Sequence, residues 1–160
     1  MVGIVDSRGR IAQMQYRQLY QSEWYEPGFD AVFPYTTFAG NMFVCSQMSK
    51  TAGNIVESSL SYVYDNATIH LQGLGFCGFR SIQTIDNVRG ESMLQTLNPE
   101  NFGVPVSVTS PRGTCSYTHN SIVGSDKRIK VLLTSETSVD NVTGVSSAST
   151  YSYPMTPTAT

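Results

Sequence analysis

Charge is what this chain has least of. Asp, Glu, Lys and Arg make up 14% of its 160 residues, where an average soluble domain carries about 25%. Ten basic side chains against twelve acidic ones leave a formal net charge of −2. A surface that grips phosphates needs clustered basic residues, so nucleic acid is not an expected partner. The densest basic groups are Arg8, Arg10 and Arg17, and then Lys127, Arg128 and Lys130. Both read as solvated strand ends and turns.

Long apolar runs are missing too. None approaches the ~20 residues of a helical membrane span. The opening Met1-Val2-Gly3-Ile4-Val5-Asp6 lacks the charged lead and long apolar stretch of a signal peptide. No membrane insertion is expected; the chain is either made in the cytosol or a fragment of something longer.

Chemistry-bearing residues are scarce. The three cysteines, Cys45, Cys77 and Cys115, are odd in number and widely spaced, which implies buried thiols rather than a disulfide framework. A thiolate–imidazole pair from Cys77 with His119, or Cys115 with His70, has no signature around it. A zinc site from the two histidines and two cysteines lacks ligand pairs at close spacing. The twelve carboxylates, among them Asp30, Asp65, Asp86, Asp126 and Asp140, mostly sit beside turn residues. No pair stands out for glycoside hydrolysis. No catalytic residue, metal or cofactor is assigned, and the chain is expected not to be an enzyme.

What is there is Ser, Thr, Asn, Gln and Gly, interleaved with nine tyrosines and short β-branched runs. The hydrophobic fraction of 40% is ample for a core, and a chain this long can bury roughly 70% of its unfolded surface. Ala12, Met14, Tyr16, Tyr20 and Trp24 alternate with Gln13, Gln15, Arg17 and Gln21, which favours a strand over 11–25, although Tyr16, Tyr20 and Trp24 also fall at helical spacing. Pro27-Gly28 reads as a turn, with glycine at a positive-φ position. Ala31-Val32-Phe33 and Asn41–Cys45 are short apolar runs.

Leu60, Tyr62 and Tyr64, then Asp65-Asn66, then Thr68–Leu71 read as a hairpin. Further strands are expected at 80–86, 104–109, 114–119 and 128–134. Ser110-Pro111-Arg112-Gly113 reads as a turn, and Pro105 suggests an edge strand. Glu91–Leu97 reads as a helix of a turn or two, ended by Asn98-Pro99. Short strands at this spacing indicate an all-β, antiparallel sandwich or jelly-roll/barrel of about 8 strands, with at most one or two short helices. Residues 1–142 form its single domain. Residues 143–160, rich in Ser, Thr and Pro, read as a tail or as an arm that packs Tyr151 and Tyr153 on a neighbouring subunit. No internal repeat of 20–50 residues is evident.

Gly73-Leu74-Gly75-Phe76-Cys77-Gly78 spells the glycine pattern of a dinucleotide fingerprint. That chemistry needs a helix beginning at Gly78. The alternative is a strand pinched by glycines where another backbone comes close. Asn66-Ala67-Thr68 and Asn141-Val142-Thr143 are glycosylation sequons, relevant only in a secreted chain.

The residues expected to contact a partner are Trp24, Tyr25, Tyr62, Tyr64, Tyr151 and Tyr153, because tyrosine and tryptophan offer rigid amphipathic area. Hydroxyl-rich strands, scarce lysine and no catalytic constellation point to a non-enzymatic structural or attachment module on the surface of a virus or phage particle. Such a capsid protruding, spike or decoration domain would self-associate as a homodimer or homotrimer, with a host receptor or glycan as a further partner. The alternative is a carbohydrate-binding β-sandwich module, secreted or cytoplasmic, that stacks Trp24 on sugar rings. A nucleotide- or thiol-dependent enzyme ranks behind both.

Overall fold

The computed structural model describes residues 2–21, 23–28, 31–38, 40–123 and 129–153. Lys127, Arg128, Asp30, Asp126 and the tail beyond Tyr153 lie outside them.

The expected all-β, antiparallel architecture holds, with twelve strands rather than about eight, in one open sheet. The strands are β1 (Val2–Val5), β2 (Arg10–Gln18), β3 (Tyr25–Glu26), β4 (Tyr35–Thr37), β5 (Phe43–Ala52) and β6 (Ile55–His70). They continue with β7 (Gly75–Asp86), β8 (Glu91–Asn98), β9 (Val104–Ser110), β10 (Gly113–Val123), β11 (Ile129–Asp140) and β12 (Ser146–Thr150). The spatial order is β1-β2-β5-β6-β7-β8-β9-β10-β11-β12. It is a meander, interrupted only by the excursion that carries β3 and β4.

That excursion makes the core. β5 pairs with β6 only as far as Gln47 opposite Ser61, then follows β2 to Phe43. The far half of β6 is left with a free edge. β3 fills it in parallel, Tyr25 opposite Tyr64, and β4 antiparallel, Tyr35 opposite His70. Leu19, Tyr25, Val44, Tyr64 and Ala67 are buried there, with Phe38, Met42, Tyr62, Phe79 and Ile82 packed around them. An edge-to-face chain of rings, Phe38 to Phe76 to Phe79 at 5.5 Å each, closes one side. Elsewhere the main contacts of the described strands are with their sheet neighbours, and the short turn after β8 packs on β7 and accepts hydrogen bonds from Tyr35 Oη and Ser121 Oγ.

Several local expectations are overturned. The hairpin at Asp65-Asn66 does not exist: β6 runs straight through to His70, and Asn66 takes a left-handed φ of 45° inside it. Asn tolerates that conformation, and hydrogen bonds to β7 on both sides of it keep the chain extended. The true hairpin turn follows His70, at 71–74.

Glu91–Leu97 is not a helix but β8, bonded to β7 and β9. Pairing on both edges outweighs the helix preference of Met, Leu and Gln. Helical backbone comes only afterwards, as a 3-10 turn over Pro99–Asn101 capped by the Asn98 side chain.

Ala31-Val32-Phe33 forms no strand, and Val32 and Phe33 are exposed. Pro105 does not mark an edge, since β9 pairs on both sides. It sits where the β8–β9 register shifts, beyond the Ser107–Ser110 stretch that bonds to β10, so its missing N–H costs no ladder bond there. Gly28 has no positive φ; a Cβ there would collide with the Asn66 side chain. The chain also remains in the sheet past Val142, because Ser146–Thr150 pairs with β11.

Candidate interaction surface

Cross-strand register sorts the side chains onto two unlike faces, because residues directly opposite share a side and successive residues along a strand do not. One row runs Tyr64, Ile82, Gln95, Val108, Cys115 from β6 to β10. Another runs Val2, Met14, Met48, Leu60 from β1 to β6. Between them lie Tyr62, Thr84 and Met93. This face is mainly apolar from β1 to β9, with charge toward one end, where the second row continues from Leu60 into Asp86 and Glu91 and where Lys50 lies opposite Ala12 and Ser58.

The opposite face is hydroxyl and amide. One row reads Asp65, Ser81, Thr96, Ser107, Ser116, Thr137 across six strands. Another begins Gln15, Gln47, Ser61. Gln47 Nε2 donates to Ser59 Oγ at 3.4 Å, and Asn87 Nδ2 donates to Ser59 and Ser61 Oγ at 3.2 and 2.8 Å. Val63, Ile85, Leu94 and Val139 interrupt the pattern, and so does the row Val5, Ile11, Thr51, Val56 at one end. Few side chains on this face carry charge.

The apolar face stands open. Met93 is 38% exposed, Val2 58% and Ile4 66%. The chain exposes 10864 Å² in all, where a compact monomer of 17.5 kDa exposes about 7,900 Å². Charges gather at the rim: Arg10 meets Glu57 at 3.4 Å, and Arg89 meets Asp86 at 3.5 Å.

The six aromatic residues expected at a partner contact do not form one surface. Tyr25 and Tyr64 are core residues and are withdrawn from contact. Tyr25 Oη accepts the Ala67 N–H at 3.2 Å, and Tyr64 Oη donates to the Cys45 carbonyl at 2.8 Å. Burial pushes the Tyr64 phenol up to about 12. Burial also raises Tyr25, against the lowering effect of the Ala67 N–H. Trp24 and Tyr62 are half-buried beside them. Tyr151 and Tyr153 are exposed six strand positions away, with Tyr151 Oη donating to Glu136 at 3.2 Å. What the sequence reading passed over is the apolar face itself: Met48, Leu60, Ile82, Met93 and Val108. Its signal was present as strict alternation within each strand, but the rows exist only once the strands are in register.

Gly73–Gly78 resolves as the pinched strand. β7 begins at Gly75 and no helix opens at Gly78, so there is no row of free N–H groups for a pyrophosphate. Gly78 has φ 107°, and a Cβ on it would lie 4.0 Å from the Gly103 Cα. Cys77 and His119 stand on strands separated by β8 and β9, and Cys115 is four strands from His70. Among the described residues no three His, Cys, Asp or Glu side chains gather as a metal site would require.

Fold and surface together define a two-faced, open antiparallel sheet domain. No protein-family model matches the chain, and no curated protein or solved structure does either.

Proposed function

We propose that this chain is a non-enzymatic structural module that is built into a larger assembly through its apolar face, leaving the hydroxyl and amide face outward. The observation that carries this reading is the uncovered apolar face. Water contact along Val2, Met14, Met48, Leu60 and Met93 costs about 25 cal/mol for each Å² left exposed, and open patches of that extent mark association surfaces. The outward face suits display: uncharged, rigid and rich in groups that bond equally well to water, protein or sugar. A projection on a virus or phage particle is the setting that this composition fits, with a host receptor or glycan as the contact. The setting rests on composition alone.

The test is a charge placed on either face. At low concentration the chain should bind a naphthalene-sulfonate dye that reports exposed apolar surface. Leu60→Lys with Met48→Lys should lower that signal severalfold, while Ser59→Lys with Ser116→Lys should not. Equal responses to the two pairs would remove the distinction between faces, and the reading with it. An increase in melting temperature with a nucleotide cofactor would instead favour an enzyme.

A further inference from the structure

We infer that the occupant of the apolar face is a second copy of this chain, laid sheet against sheet about a two-fold axis. This rests on the module reading above and adds the partner to it. The first argument is area. The surface in excess of a compact monomer is roughly 3,000 Å² per chain, from the 10864 Å² exposed and the size scaling for 17.5 kDa. An obligate homodimer covers about 1,000–2,500 Å² on each subunit. Spread over both faces of the single-layer sheet, that excess leaves room for a whole subunit interface on the apolar one, more than a small ligand would cover.

The second argument is chemistry. Around Met93 and Val108 the face carries no charge, Tyr62 and Ile82 beside them pack partly against the core, and Lys50, Asp86 and Glu91 lie toward the margin. An apolar centre rich in Tyr and Met inside a polar rim is interface anatomy. An uncharged patch is also self-complementary, as a two-fold contact demands: each residue meets the same surface without like-charge repulsion. Two such sheets packed ~10 Å apart would form the second layer that each lacks alone.

Analytical ultracentrifugation of the full chain from about 1 to about 100 µM, the range that brackets an ordinary homodimer, decides it. The expected species weighs about 35 kDa, twice the 17.5 kDa chain. Met93→Lys with Val108→Lys should weaken association about 100-fold or more, since two unpaired charges would be buried. Ser107→Lys with Ser116→Lys, on β9 and the adjacent β10 but on the other face, should leave the dimer unchanged. If the first pair fails to fold, oxidation of Met93 in the native chain replaces it and should slow as concentration rises. A monomer at every concentration, a trimer, or an open-ended series overturns the inference. So does equal loss from the two lysine pairs. A monomer that still binds the dye at Leu60 and Met48 would sink the dimer alone and leave the module reading standing.

Discussion

Asp86 and Asp140 occupy the same position in two equivalent hairpin turns. The sequences are Asp86-Asn87-Val88-Arg89-Gly90 and Asp140-Asn141-Val142-Thr143-Gly144. In the first, the carboxylate accepts N–H bonds from Val88 at 2.9 Å and Arg89 at 3.1 Å; in the second, from Val142 at 2.7 Å and Thr143 at 3.1 Å. Both glycines donate to the aspartate carbonyl at 2.8 Å, with φ of 69° and 70°. One five-residue device thus reverses the chain at β7–β8 and again at β11–β12.

The glycines are the sensitive part of that device. No atom would meet a Cβ at Gly90 or Gly144, so substitution costs only the left-handed backbone. Gly90→Ala should destabilise the fold by about 1–2 kcal/mol, and Gly90→Asn by less. Urea denaturation with an unchanged slope is the measurement. An unaltered midpoint for Gly90→Ala would mean that the turn has another conformation.

Asp140 should make its hairpin acid-sensitive. The N–H groups of Thr143 and then Val142 hold its carboxyl below the usual value of 3.8. A depressed folded value means that its stabilising contribution is present above the unfolded value and disappears as pH falls through the folded one. Amide exchange at Val142 and Thr143, followed by NMR below pH 3.8, should accelerate in the native chain. Asp140→Asn, which keeps the acceptor and cannot ionise, should show no such step.

Tyr64 has the opposite sensitivity. Its phenol is raised from 10.0 to about 12, chiefly by burial. Between those values the unfolded chain loses the proton first, so stability should fall as pH rises from 10 toward 12. Tyr64→Phe should reduce that dependence, leaving the part that comes from the other raised phenols such as Tyr25 and Tyr62. It should also cost about 1 kcal/mol at neutral pH, for the lost bond to the Cys45 carbonyl. Thermal melts at pH 8 and pH 11 would check both.

Leu19 is 1% exposed at the centre of the core. Leu19→Ala should cost about 2–5 kcal/mol by leaving a cavity. Met93→Ala, on the open face, should cost well under half as much in dilute monomer. Similar losses at the two sites would show that the face is already covered within one chain.

Much of the fold could be read along the chain. Ile129, Val131 and Leu133 share a side as expected, because alternation is a property of one strand, whereas the register shift against β8 puts Val104, opposite Asn98, on the other side from Val108, opposite Gln95. The late strands therefore fell where expected, and Ser110–Gly113 turned where proline and glycine put it. The misreadings at Asp65-Asn66 and Glu91–Leu97 have a common cause. In both, local preference was overruled by hydrogen bonds to strands on either side, which a single segment does not reveal. The paired aspartate turns were legible as a five-residue motif occurring twice, 54 positions apart (140 minus 86).

The sequence by itself determined that most of these segments are strands and that few of their side chains carry charge. Those follow from residue type and nearest neighbours. Only the tertiary structure decided which side chains lie together: Tyr25 and Tyr64 in the core with Ile82 against them, Met48, Leu60 and Met93 on one face, Ser81, Thr96 and Ser107 on the other. Register is the physical reason. It is set between strands far apart along the chain, and a slip of one residue would move every side chain to the other face.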